Sequence, residues 1–178
     1  CLTGGIEGGL AAAELLVGNG NPSGKTVDTF AKSLDDYPST YNFHESRDYV
    51  DYTDDIYVGY RYFETIPGAA EKVVYPFGYG LSYTSFDVET VSAGVVNSNC
   101  TSETNKLYAK VRVTNTGKFS GKEVVQVYIA KPQGKLGKPT KELAAFEKTR
   151  ELQPGESQLM ILTWEINDMA SYDDLGKV

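Results

Sequence analysis

Five runs of alternating apolar and polar residues, each closed by turn chemistry, restrict the second half of this chain to one class of fold. They span Asp87 to Val96, Lys106 to Asn115, Lys122 to Ala130, Leu143 to Glu151 and Gln158 to Ile166. Along the second run Leu107, Ala109, Val111 and Val113 share one face while Tyr108, Lys110 and Arg112 take the other, the two-residue period of a half-buried strand. The connections Asn115-Thr116-Gly117, Pro132-Gln133-Gly134 and Gln153-Pro154-Gly155 are built from residues that favour turns. Short strands at this spacing predict an all-β antiparallel, immunoglobulin-like sandwich over 87–178. Such sandwiches usually have about seven strands. Because the chain turns polar after Trp164, this one is expected to be incomplete at its C-terminus.

The first half reads differently. In residues 1–30, Gly5-Ile6-Glu7-Gly8-Gly9 precedes Leu10-Ala11-Ala12-Ala13-Glu14-Leu15-Leu16-Val17. Apolar side chains fill nearly every face of that run, so it predicts a short buried helix, ended by Gly18-Asn19-Gly20. A turn at Asn21-Pro22-Ser23-Gly24 leads into Lys25 to Phe30, which alternates as a strand does. One helix and one strand cannot enclose a core, so 1–30 is expected to be the tail of a larger α/β unit. Residues 31–86 hold ten of the 13 Tyr and four of the seven Phe. This segment is too apolar for disorder and too irregular for one sheet. It is expected to wrap over a neighbouring surface, burying rings and hydrogen-bonding hydroxyls, with a short strand over Ile56 to Phe63 and a tight loop over Pro76 to Tyr83.

Composition removes several functions. The formal charge is −7, which argues against a nucleic-acid or acidic-membrane partner. No apolar run approaches the ~18 residues of a membrane span, and no charged-then-apolar leader opens the chain. The two cysteines, Cys1 and Cys100, form neither a disulfide framework nor a metal-ligand spacing. Free thiols are expected, and with them a cytoplasmic location, a secreted parent being the alternative. Asn99-Cys100-Thr101 is a formal glycosylation sequon, expected to be coincidental.

Candidate chemical groups are few. His44 is the only imidazole and lies in no nucleophile or zinc motif, so a partly buried loop histidine is expected. Asp48, Asp51, Asp54 and Asp55 form the densest acidic group, but their spacing fits no calcium loop. A solvated stretch pairing with Arg47 or Arg61 is expected instead. Glu7, in a glycine-rich loop at a helix start, suits the helix dipole and is a candidate to approach a substrate. Tyr60 and Tyr62 are candidates for stacking on sugar faces, although alternating strand residues point opposite ways. Docking of domains is the favoured role for these rings. No metal or cofactor is expected.

Asn21-Pro22-Ser23-Gly24-Lys25, Tyr57-Val58-Gly59-Tyr60-Arg61-Tyr62-Phe63, Tyr75 to Thr84 and Gly121 to Tyr128 occur in that order. Together they resemble the C-terminal part of glycoside hydrolase family 3, the β-glucosidase and β-xylosidase family. Gly5-Ile6-Glu7-Gly8-Gly9 is similar to the glycine-rich loop before the last helix of that family's α/β sandwich domain. Lys141-Glu142-Leu143, Phe146 and Leu152 to Glu156 resemble later strands of its fibronectin type III-like domain.

The resemblance runs over essentially the whole chain. It implies the end of the α/β sandwich domain in 1–30, an aromatic linker in 31–86 and a fibronectin type III-like domain in 87–178. It further implies a parent that hydrolyses terminal β-linked sugars, with β-D-glucosides the expected class, by a retaining two-carboxylate mechanism. The family's nucleophile is an Asp of a (β/α)8 barrel, and its acid/base carboxylate comes from the earlier part of the sandwich domain. Neither motif is present: the only Trp, Trp164, follows Leu162-Thr163 rather than a Ser/Thr-Asp pair. No catalytic residue is therefore carried over. The expected partners are the remaining domains of the parent and its β-linked oligosaccharide or glucoside substrate. The alternative is a stand-alone carbohydrate- or protein-binding β-sandwich module.

Overall fold

The alternation in the second half becomes five strands in two antiparallel sheets. The computed structural model describes residues 4–96 and 106–173, so Cys1, Cys100 and the sequon lie outside the described residues. Strands β3 (Phe86–Val95), β4 (Lys106–Asn115) and β7 (Ser157–Glu165) form one sheet in the order β3-β4-β7. Strands β5 (Val124–Ile129) and β6 (Glu142–Lys148) form the other. The expected antiparallel sandwich is thus present. The largest difference from the sequence pattern is at the end of β6, which stops at Lys148 rather than Glu151.

Register explains the core. Val111 lies opposite Met160, and Ala109 opposite Leu162, so these side chains share one face of the sheet. They are buried together with Val113, Val125 and Leu152, and Phe86, Val127, Ala145 and Trp164 pack around them. Burying each large aliphatic side chain contributes about 1.5–3 kcal/mol. From β3 only Phe86 reaches this cluster. Val88, although opposite Val113, stays half exposed.

The first half departs from expectation at three elements. Helix α1 (Gly8–Leu16) forms where predicted but buries no residue. Ile6 just before it is 99% exposed, and Leu10, Leu16 and Val17 also face out. A helix apolar on nearly every face records a demand for cover, and within α1 the only large side chain that is partly covered is Leu15. The strand expected over Lys25 to Phe30 shrinks to β1 (Phe30–Ala31), which pairs with β2 (Val73–Tyr75). The stretch before it bonds the 76–79 loop instead: the Thr26 amide donates to the Tyr79 carbonyl, and the Gly78 amide donates to the Thr26 carbonyl, both at 2.8 Å. The strand expected over Ile56 to Phe63 is replaced by helix α2 (Tyr60–Thr65). Gly59 initiates it at φ +57°, ψ −127°, a conformation open to glycine alone, and its carbonyl accepts the amides of Tyr62 and Phe63.

Candidate functional site

The chain's best-defined polar assembly is the seam between the aromatic segment and the sandwich. Because residues 60–65 are helical, Tyr60 and Tyr62 point about 200° apart and cannot form one sugar platform. Tyr60 turns to the sandwich. Its ring lies 4.8 Å from Phe77 and 5.9 Å from Tyr128, and its hydroxyl accepts the Leu143 amide at 2.8 Å. Tyr62 instead packs edge-on to Phe63 at 5.2 Å. Phe63 is 2% exposed and takes Tyr37 on another side at 5.5 Å.

Polar contacts repeat this pattern along the helix. Arg61 reaches Glu142 at 3.4 Å, whose other oxygen holds Lys131 at 2.9 Å. Glu64 pairs with Lys141 at 2.8 Å, and Lys141 stands 4.7 Å over the Tyr128 ring. The Tyr57 hydroxyl donates to the Gly137 carbonyl at 2.6 Å, and Thr65 Oγ1 accepts the Thr140 amide at 2.9 Å. Burial, reinforced by the neighbouring Tyr60 and Glu64, pushes the Tyr128 phenol up to about 12. The ring is held neutral inside the seam. Not every Tyr of the segment behaves so: Tyr41, Tyr49 and Tyr52 are exposed, Tyr52 at 93%, which corrects the expectation of general ring burial.

A second group of contacts closes the other end of the seam, through two asparagines that sequence reasoning treated only as turn residues. Asn21 bonds Ser120, Ser82 and Tyr83. Asn115, at the end of β4, bonds Thr84, Gly117, Phe119 and Leu152. The signal available in the sequence was their setting, Asn followed closely by Gly, which marks side chains that bond nearby backbone.

The other candidates do not converge. Glu7 sits at the N-cap of α1, where its carbonyl accepts the Ala11 amide at 2.9 Å. Its side chain makes no capping bond and is exposed. His44 is exposed rather than partly buried, held only edge-on to Phe43 at 4.4 Å; a short polar turn offers no apolar wall to cover it. Arg61, expected to pair with the acidic stretch, is taken by Glu142, which faces it from β6. Asp54 accepts the Tyr57 amide through its carbonyl at 2.8 Å, and Asp55 adopts φ +48°. Among the described residues no three His, Cys, Asp or Glu side chains gather as a metal site, and no helix is long and apolar enough to cross a membrane. A cleft of about 560 Å³ lies between Asp55–Arg61 and the 131–142 stretch, but Glu142 within it is already held by two cations.

Fold and seam together define the class: an antiparallel β-sandwich to which a tyrosine-rich segment is fastened. Comparison with known proteins gives it a family. Residues 1–83 match the glycosyl hydrolase family 3 C-terminal domain, and residues 123–178 match a fibronectin type III-like domain. Beta-glucosidase A of Butyrivibrio fibrisolvens is 62% identical over 98% of this chain, and a beta-glucosidase of Ruminococcus albus is 46% identical over 97%. Among solved structures, a beta-glucosidase from Paenibacillus barengoltzii superposes with a TM-score of 0.86 at 52% identity over 95% of this chain. Beta-glucosidase 3B from Thermotoga neapolitana superposes at 0.80 with 43% identity over 94%. The chain belongs to glycoside hydrolase family 3 and carries that family's C-terminal region. It spans 22% and 17% of the two curated relatives, and 18% and 22% of the two solved chains. In those proteins this region is one part beside others.

Proposed function

We propose that this chain is the bracing portion of a family 3 β-glucosidase, joining the end of an α/β sandwich domain to a fibronectin type III-like domain. The observation that carries this reading is the contrast between its two surfaces. The seam uses its Tyr, Asn and ionic groups to fasten the aromatic segment to the sandwich, while α1 presents an uncovered apolar exterior. An exterior of that kind calls for cover by a further part of the protein. Cleavage of a terminal β-linked glucose by retention needs two carboxylates about 5 Å apart. In this reading both come from outside these residues, and the chain contributes position rather than chemistry.

The test compares this chain with the full-length polypeptide that carries it, on an aryl β-D-glucoside. The full-length polypeptide is expected to turn over the substrate, and the chain alone is expected to stay at the buffer rate. Turnover by the chain alone that disappears in Glu7→Gln or Asp54→Asn would overturn the reading.

A further inference from the structure

We propose that Asn21 is the latch through which the β-sandwich holds the end of helix α1. Helix α1 buries none of its nine residues, and a helix that short is marginal by itself in water. With so little packing along its length, what fixes it must act at an end. At the C-terminal end Gly18 turns the chain at φ +81°. The amides of Gly18 and Asn19 donate back to the carbonyls of Leu15 and Glu14 at 3.1 and 2.9 Å, the glycine-dependent closure of a helix.

Asn21 follows two residues later. Its Nδ2 donates to the Ser120 carbonyl at 2.8 Å, in the connection between β4 and β5. Its Oδ1 accepts from Ser82 Oγ at 2.9 Å and from the Tyr83 amide at 2.8 Å. One carboxamide thus ties the helix-closing turn to the sandwich and to the aromatic segment together. A second strap runs beside it, since the Tyr83 hydroxyl donates to the Leu15 carbonyl at 2.8 Å. Lys25 and Glu123, 2.7 Å apart, fasten the next stretch. The seat is tight: a Cβ on Gly121 would stand 2.7 Å from Asn21 Nδ2, so a larger residue there would displace the carboxamide. The carboxamide is also the group the partners require, because it offers a donor to one carbonyl and an acceptor to two donors. A carboxylate in its place would set an oxygen against the Ser120 carbonyl.

Amide hydrogen exchange on this chain tests the latch, whatever reaction the parent catalyses. In Asn21→Ala the amides of Val17, Gly18, Asn19 and Tyr83 are expected to exchange roughly 10- to 100-fold faster, the range for three neutral hydrogen bonds lost. Asn21→Asp, which keeps both acceptor bonds, is expected to accelerate them by roughly 10-fold. The amides of Val111 and Val113 in β4 should change by less than about 3-fold in either variant, as sites outside the local opening do. Unchanged exchange at Val17–Asn19 overturns the latch, as does an equal acceleration in β4. Amides at Val17–Asn19 that already exchange at the unfolded-chain rate in the unsubstituted protein overturn it too.

Discussion

Replacing Asn115 by Asp exchanges one nitrogen for oxygen at the most connected buried side chain of the seam. Asn115 is 0% exposed. Its Nδ2 donates to the carbonyls of Phe119 and Leu152, both at 2.8 Å. Its Oδ1 accepts from Thr84 Oγ1 at 2.7 Å and from the Gly117 amide at 3.0 Å. The substitution preserves the accepting side and removes the donors from two carbonyls. The Leu152 carbonyl keeps the Gly121 amide at 3.1 Å, but the Phe119 carbonyl is left without a partner, at a cost of about 2 kcal/mol. For a chain of this size that lowers Tm by roughly 4–8 °C. The introduced carboxyl also makes the loss depend on pH. Protonated, it donates to one of the two carbonyls; ionised, it sets a buried charge against both. Its folded pKa is therefore raised above the ordinary value of about 3.9. A raised folded pKa gives stability that is complete below the unfolded pKa and is lost as pH rises through the folded one. The deficit against the unsubstituted chain should be smaller at pH 4 than at pH 7, read by urea denaturation at each pH. A deficit below about 1 kcal/mol at pH 7, or one as large at pH 4, refutes this account of Asn115.

Two further outcomes follow from single side chains. Thr29 is 5% exposed and its Oγ1 has no hydrogen-bond partner, while its carbonyl keeps the Tyr37 hydroxyl at 2.9 Å. Thr29→Val, which removes an unpaired hydroxyl at constant shape, should stabilise the chain by about 1 kcal/mol and raise Tm by roughly 2–4 °C; a lower Tm in a thermal melt counts against it. The Arg150 guanidinium, 2.7 Å away, and the Gln153 amide hold the Glu156 carboxyl down to about 2. Because that folded value lies below the unfolded one, the stability it supplies is present above the ordinary carboxylate range and is lost as pH falls toward 2. An NMR titration should place the Glu156 midpoint near 2, and Arg150→Ala should move it up toward the ordinary range of about 4.

What could be read from the sequence follows from where each constraint acts. The strands of the sandwich were legible because their period is local: Val111 and Val113 face inward whatever lies across the sheet. The helix at Leu10–Val17 was legible for the same reason, but its burial was not, since cover is a property of the neighbours. At Tyr60–Phe63 the pattern itself misled. Aromatic residues suit a pleated surface, and the alternation from Ile56 to Phe63 reads as a short strand. Gly59 is instead a helix start, and the i, i+3 pair Tyr60 and Phe63 is divided between two neighbours, the sandwich and Tyr37. The seam's asparagines were hidden more deeply. Asn21 finds Ser120 across 99 positions of chain, and no window of sequence contains both ends of such a bond.

Those long bonds share one property that bears on where the module ends. Tyr57 donates to the carbonyl of Gly137, Tyr60 accepts the amide of Leu143, and Thr65 accepts the amide of Thr140. Asn21 donates to the carbonyl of Ser120. In every case a side chain from the first half meets a backbone group in a connection or strand start of the sandwich. Ser120, Gly137 and Thr140 lie outside the strands, and the Leu143 amide donates to Tyr60, so these backbone groups take side-chain partners from the first half. The first half of the chain thus supplies hydrogen bonds that the sandwich does not make for itself. Composition changes near residue 86, but the hydrogen bonding runs straight across it, so removing residues 1–85 should loosen the 117–121 and 137–143 connections before it disturbs the β4–β7 core.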